Sequence, residues 1–367
     1  MKTAMFFNGD YHKQDPLLFK DVFNMPFSQI SGIWYDTHAN YRQNTGTFLF
    51  TDALAKNLDA EWIARDGISY LENAHDVETV VTTLLHSVGP VLTFDYDYWK
   101  RLLKTGKRIV PLSAGFFIEK WAEVGMQREI AEIFSEMSER AEIGVRGEYS
   151  ADILNKMGVK NVRVIGCPSL FYHMDREFTV RKNDKGRIES LNINFTPFSA
   201  RIAGKTKRIA EWFLKIWGSS NIDVHTTLQE HFLAVCATLE TYQYGFDIYK
   251  ANFYLSEFIN ATGRWFFDVE SWSRAVGKND FSIGTKFHGN TAAVVGTTPA
   301  LYLIPDLRAE EMCRFFKLPF IKAQDFDETK DIRYYYEKAD YAEFNKNYKA
   351  AFDNFTDYCE KNGVTVK

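Results

Sequence analysis

Cysteine is scarce, with four in 367 residues. Cys167, Cys236, Cys313 and Cys359 are widely separated, form no C-x-x-C pair and lack the spacing of a secreted miniprotein. A disulfide framework is therefore excluded, and a reduced, cytoplasmic setting follows. Long apolar runs are missing too. The opening MKTAMFFNGDYHKQD holds an apolar stretch too short for a signal peptide, and nowhere do about 18 or more apolar residues run uninterrupted. No transmembrane span is expected, which leaves open peripheral association with the inner face of a membrane. A basic excess is also absent: the formal net charge is -4, so no field exists to neutralise a phosphodiester backbone. Nucleic acid is excluded as a partner on that ground, although local basic pockets are not. Internal repeats and low-complexity tracts do not occur.

What is present is ordinary globular composition, 46% hydrophobic and 25% charged, at a length that suits two domains better than one. Aromatics make up 16%, with 31 Phe and 19 Tyr, which fits broad cores and sugar-stacking surfaces alike. Helix-like and strand-like stretches alternate from the first third onward, the rhythm of parallel βα units. NTGTFLFTDALAKNL reads as a turn feeding a helix, with Asn44 and Gly46 at its entrance. VETVVTTLLHSV is predicted helical and the following VGPVLTFDYDYW strand-like. YWKRLLKTGK is predicted helical again, and RIVPLSAGFF a short strand ending at Gly115. The amphipathic WAEVGMQREIAEIFSEMSERA leads to EIGVRGEYSADILNKMGV, where Ser150 is placed to cap a helix, and then to the strand VRVIGCPSLF.

The polar stretch from Met174 to Ser190 is the best linker candidate. Beyond it LNINF, NIDVHTTL and PALYLI read as strands, while TKRIAEWFLKIWG, TAAVVG and RAEEMCRFF read as helices. ETYQYGFDIYKANFYLSEFIN is read as mostly helical. A terminal helix carries Phe344, Tyr348, Phe352, Phe355 and Cys359 at helical spacing. The division that follows is a first domain over residues 1–180, a second over 190–335 and a terminal helix over 336–367.

Chemistry concentrates in FSIGTKFHGNTAAVVGTTPALYLIPDLR. There a strand ends in a loop with Lys286 and His288 before a helix of small residues. Helix-start N–H groups and the macrodipole favour an anion, and Lys286 adds charge. His288 can exchange a proton near neutral pH. A solvent-facing histidine in a strand-to-helix turn is the plainer alternative, and the flanking pattern weighs against it.

The run GTKFHGNTAAVVGTTPAL resembles the signature of polysaccharide pyruvyl transferases, with a basic residue, an aromatic residue and His ahead of a small-residue helix. GVRGEYSADILNKMGVKNVRVIGCPSLF is similar to that family's segment with an Arg, a Ser near a helix start and a strand ending in a Pro-containing turn. NTGT resembles its amino-terminal turn. The resemblance implies an α/β fold of two Rossmann-like domains facing a cleft (GT-B-like), with the acceptor on the amino-terminal side and the donor on the carboxyl-terminal side. It implies His288 as general acid, with Arg146, Lys286 and Arg308 binding phosphoenolpyruvate, a donor that carries both a carboxylate and a phosphate. Lys286 stands where relatives have Arg, and Thr47 where an acidic residue is common.

The implied function is pyruvyl ketal transfer from phosphoenolpyruvate to a sugar of a cell-surface polysaccharide, such as a capsule or exopolysaccharide, or of its lipid-linked precursor. No cofactor is expected. The alternative on the same architecture is a GT-B glycosyltransferase with a nucleotide-sugar donor. A non-catalytic glycan-binding or assembly protein is the third reading, opposed by the intact His288 and its cations.

Weaker signals are discounted. Asp95 and Asp97 have the D-x-D spacing of a cation-binding glycosyltransferase pair, but a solvated loop explains them, so no metal is assigned. Gly115 and Gln229, with its neighbour Glu230, sit at strand ends that can face a cleft. Cys167, with no His partner visible nearby, is read as a buried structural thiol and not a nucleophile.

Overall fold

A computed structural model describes residues 2–7, 17–18, 46–64, 67–83, 88, 94–116, 124–183, 187–195, 207–227, 257–258, 261–266 and 268–367. The first part of the chain runs β1 (Lys2–Phe7), β2 (Leu17–Leu18), α1 (Gly46–Asn57), β3 (Glu61–Ala64), α2 (Ile68–Asn73), β4 (Val77–Thr82), α3 (Tyr96–Lys104), β5 (Arg108–Pro111), α4 (Val124–Ser138), β6 (Ile143–Val145), α5 (Glu148–Lys156) and β7 (Val162–Val164). A 3-10 turn over Pro168–Phe171 follows. β3, β1, β4 and β5 form a parallel sheet in that order. The parallel pair β6–β7 is linked to the chain beyond β5 by a bridge between Ala114 and Val145.

Successive residues of the inner strands enter two different cores. Ala4, Phe6, Val80 and Ile109 face one, while Met5, Val81 and Val110 face the other. A sheet covered on both faces has no polar alternation to reveal it. This explains the misreading of VETVVTTLLHSV, which is the strand β4 as far as Thr82 and not a helix. Val77, Thr79, Val80, Val81 and Thr82 are β-branched and fit a pleated sheet better than a helical turn. Tyr96–Lys104 is likewise helical where FDYDYW was expected to continue a strand. Asp95 caps that helix, accepting from the Tyr98 N–H at 3.0 Å.

The second part runs β8 (Ser190–Asn194), α6 (Lys207–Ser219), β9 (Asp223–Thr227), β10 (Gly263–Trp265), α7 (Val269–Val276), β11 (Phe281–Gly284), α8 (Phe287–Val295), β12 (Ala300–Ile304), α9 (Leu307–Phe316), β13 (Phe320–Lys322), α10 (Ile332–Lys338) and α11 (Ala342–Lys361). Its sheet has the order β13-β12-β11-β8-β9-β10-β2. All pairs are parallel except β2 on β10, so the amino-terminal residues Leu17–Leu18 complete the second sheet. Counted from β8, the strands lie in the order 3-2-1-4-5-6 of a Rossmann-like unit, and the order reverses between β8 and β11. The expected α/β fold with Rossmann-like units is what the chain adopts. Most of the expected helix over residues 240–260 lies outside the described residues.

The last helix returns to the first sheet. Phe344, Tyr348, Phe355 and Cys359 of α11 are buried. Phe355 stacks on Phe171 with ring centroids 4.8 Å apart. The Tyr358 hydroxyl donates to the Pro111 carbonyl at 2.6 Å and accepts from the Gly144 N–H at 3.1 Å.

Candidate active site

The loop between β11 and α8 is fixed by asparagines, not by its own turn chemistry. β8 and β11 pair in register Asn194 to Gly284, so the loop begins directly beside the end of β8. Asn194 Nδ2 donates to Asn290 Oδ1 at 2.7 Å, and Asn290 Nδ2 donates to the carbonyls of Gly284 at 3.0 Å and Leu301 at 3.3 Å. Ser282 Oγ donates to Asn290 Oδ1 at 3.0 Å and accepts from Asn192 at 2.9 Å. The Lys286 amide donates to Asn194 Oδ1 at 3.1 Å and the Thr285 amide to the Asn194 carbonyl at 2.8 Å. Every one of these side chains is buried, so their bonds are made with each other and not with water. Gly284 and Gly289 have no room for a side chain: a Cβ on either would collide with Asn194. Lys286 is thereby held at the N-cap of α8 and His288 in its first turn, both half-buried, at the carboxyl edge where the strand order reverses. That edge is where α/β sheets bind ligands.

Across from this loop lie the ends of β5, β6 and β7. Arg146, directly after β6, is 2% exposed and donates through Nε to the Ser113 carbonyl at 3.1 Å and hydroxyl at 3.3 Å. Ser113 has a left-handed backbone, φ 62°, which aims both oxygens at the guanidinium. Burial pulls the Arg146 pKa down to about 10; Cys167 opposes that pull, Arg308 reinforces it, and Glu311 and Asp306 oppose it. The group is still a cation at neutral pH. Cys167, fully buried after β7, places Sγ 3.6 Å from His288 Nε2. The histidine that the sequence did not show beside this thiol comes from 121 residues away.

Arg308 sits in the first turn of α9, its side chain 31% exposed and its guanidinium 3.8 Å from the Asp306 carboxylate. Asp306 caps the helix, accepting from the Ala309 N–H at 2.9 Å. One turn on, Glu311 crosses to the first unit, accepting from the Ser150 N–H at 2.9 Å and the Ser150 hydroxyl at 2.8 Å. Ser150 is therefore not the helix cap the sequence suggested. α5 starts after Gly147, with no side-chain cap from within its own segment. Glu311 supplies the anion at its start. Burial raises the Glu311 pKa, opposed by the two Ser150 bonds and by the Arg146 and Arg308 charges.

The structure thus gathers Arg146, Lys286, His288 and Arg308 at strand ends of two units that touch through Cys167–His288 and Ser150–Glu311. Gly46 begins α1 and is buried, and Gly115 is buried between the bridged residues Ala114 and Phe116, its carbonyl accepting from the Val88 N–H at 2.7 Å. Asn44, Gln229 and Glu230 lie outside the described residues. Asp95 and Asp97 open α3, where a cap and first-turn acid favour the helix dipole, so the pair needs no cation to explain it. Sequence reasoning missed Asn194, Asn290, Ser282 and Glu311. The signal available was polar residues at inward positions of LNIN and in HGN.

Two cavities are lined by none of Arg146, Lys286, His288 and Arg308, although Glu311 borders the first. One of about 480 Å³ is bounded by α5, α9 and α11, with Tyr149, Leu307, Arg314 and Asn354 in its wall. The other, about 920 Å³, runs beside α1 and α7 and is lined by Asp52, Lys56, Tyr172, Asp268, Glu270 and Lys278. Among the described residues, no group of three or more His, Cys, Asp or Glu is placed to hold a metal ion, and no helix is long and apolar enough to cross a membrane.

Two Rossmann-like α/β units meet near the carboxyl ends of their strands, with the Cys167–His288 contact between them. Residues 82–306 match the model of the family described as polysaccharide pyruvyl transferase. The match covers more than half the chain, which belongs to that family and is a transferase. No curated protein sequence matches it. Among solved structures it is similar to MnaA of S. aureus in its UDP co-structure, at 12% identity and TM-score 0.49, covering 98% of this chain and 94% of that one. A UDP-N-acetylglucosamine 2-epimerase is similar at 10% identity and TM-score 0.48, with coverage of 99% and 96%. The UDP-GlcNAc 2-epimerase of Neisseria meningitidis bound to UDP-GlcNAc is similar at 11% and TM-score 0.46, with coverage of 82% and 85%.

Proposed function

We propose that this transferase moves a pyruvyl group from phosphoenolpyruvate onto two hydroxyls of one sugar in a cell-surface polysaccharide or its lipid-linked precursor. The observation that supports the reading is Lys286 and His288 at the strand-order reversal, with Arg146 reaching His288 through Cys167 and Arg308 following the next strand. Phosphoenolpyruvate is a small trianion, and fixed cations with helix-start N–H groups suit it. Lys286 and Arg308 are the half-exposed pair that meets the donor. Arg146, closed off behind Ser113, contributes its field.

The reaction needs two protons placed and one leaving group expelled. His288 protonates C3 of the enol, so positive charge develops at C2, where the first sugar oxygen adds. Loss of phosphate regenerates an electrophilic C2 and the second sugar oxygen closes the ketal. Of the two hydroxyl protons, one replaces that given by His288 and the other leaves with phosphate. The imidazole works as general acid and then as acceptor. Cations around the phosphate stabilise it as it departs.

Phosphate release measured with phosphoenolpyruvate and a lipid-linked or polymeric glycan tests the proposal. Release that requires both substrates supports it. Absence of release with the donor, together with thermal stabilisation by a nucleotide sugar, would transfer the site to glycosyl transfer.

A further inference from the structure

The contact between Cys167 and His288 has a direction. Ser169 Oγ donates to Cys167 Sγ at 3.1 Å, which occupies the accepting side of the sulfur and leaves the S–H to point elsewhere. His288 Nε2 lies 3.6 Å away. Cys167 and Ser169 are both 0% exposed, so water does not compete for the thiol and neither residue meets substrate. The thiol is also pinned by its backbone. Gly166 precedes it with φ 74°, where a side chain would strike Phe316, and Pro168 follows at the start of the 3-10 turn. Phe50 and Phe287 hold the imidazole from the sides, with ring centroids 5.8 and 5.3 Å from it.

We propose that Cys167 is a positioning residue for His288: its S–H donates to Nε2 and holds the neutral imidazole as the Nδ1–H tautomer, in one orientation toward the crevice. An imidazole in water favours the Nε2–H form, so the buried sulfur overrides the ring's own preference. The charged groups around the pair are Lys286 on the same loop, Arg146 after β6, and Asp306, Arg308 and Glu311 around the start of α9. The catalytic meaning of the contact rests on His288 being the proton donor of the proposed reaction. The contact itself does not. In the charged imidazolium that gives the proton, Nε2–H donates to the sulfur and the thiol hydrogen turns away, so that Nδ1–H faces the crevice in both states.

Long-range ¹H–¹⁵N spectra of the histidine side chains separate the two, with the His288 signal assigned by its loss in His288→Gln. Wild-type protein without substrate should show His288 as Nδ1–H. Cys167→Ala should shift it to Nε2–H, whereas Cys167→Ser, which keeps a donor, should retain Nδ1–H. In turnover, Cys167→Ala should lower kcat roughly fivefold to tenfold, the worth of one neutral hydrogen bond, at unchanged donor KM. Cys167→Ser should recover most of that loss. A Cys167→Ala protein that keeps the Nδ1–H tautomer and wild-type kcat would overturn the proposal. A parallel fall in melting temperature and activity in both variants, with the tautomer unmoved, would make Cys167 a packing residue and overturn it equally. Full turnover in His288→Gln would sink the proposed reaction instead, and the tautomer still decides the sulfur contact.

Discussion

Single residues differ most in what burial does to their charge. Asp52, beside the larger cavity, has its pKa pushed up to about 6 by burial, opposed by the Tyr172 hydroxyl at 3.3 Å and reinforced by Asp268. The sign follows from linkage. Below the ordinary value of 3.8 the carboxyl is neutral in folded and unfolded chains alike, and as pH rises through about 6 the folded protein must carry a charge the unfolded chain carries more easily. Asp52→Asn should therefore raise stability at pH 7 to 8 by about 1–2 kcal/mol, with the gain fading toward about pH 4. Melting curves across that range check it, and a gain independent of pH would refute the cause. The cations behave differently. Arg146→Ala would leave a cavity and take the buried donor away from the Ser113 carbonyl and hydroxyl, at a cost on the order of 2–5 kcal/mol, so a change in donor binding would be mixed with a change in folding. Arg308→Ala is the informative variant: KM for phosphoenolpyruvate should rise about tenfold, the loss of one charge-assisted bond, with the melting temperature nearly unchanged. An unchanged KM would remove Arg308 from the donor site.

At the scale of elements, the β11–α8 loop owes its shape to side chains on β8 and on α8 itself. Asn290→Ala would leave the Gly284 and Leu301 carbonyls without their side-chain donor and take from Asn194 the nearer of its two acceptors. A loss of about 3 kcal/mol is expected, read by denaturant midpoint, together with lower turnover because Lys286 and His288 lose their frame. Full stability in this variant would show that the loop is held by other means. Much of this was legible in the sequence. The run TKFHGNTAAVV announced a strand end, a cation, an imidazole and a helix, because those signals are local. The asparagine network was not legible, since Asn194 and Asn290 are 96 residues apart and the alternation in LNIN marks a strand without revealing its partner. The strand β4 failed for a different reason: burial on both faces removed the polar alternation that separates strand from helix.

The whole molecule is tied together by elements that leave their own unit. Leu17–Leu18 pairs with β10, Glu311 receives Ser150, and α11 lays Tyr358 against Pro111 and Gly144. Tyr358→Phe keeps the ring but orphans a buried Gly144 N–H, and should cost about 1–3 kcal/mol in a single cooperative transition. Two separated transitions would mean that α11 does not couple the units. Two layers of parallel βα units were readable from rhythm and strand content, whereas these crossings were not, because each is decided by partners more than a hundred residues away. The contact of Cys167 with His288 belongs to the same class.

In the proposed reaction His288 is the group that protonates the donor, and single-turnover phosphate release by His288→Gln tests that directly. At saturating phosphoenolpyruvate and glycan acceptor, the variant should release phosphate roughly 10²–10⁴-fold more slowly than wild type, the usual worth of a positioned proton donor. Its melting temperature and donor affinity should stay within reach of wild type, because α8 is anchored by the fully buried Ala292, Ala293, Val294 and Val295 while the imidazole is only half-buried. A stable variant that releases phosphate at the wild-type rate would contradict the mechanism.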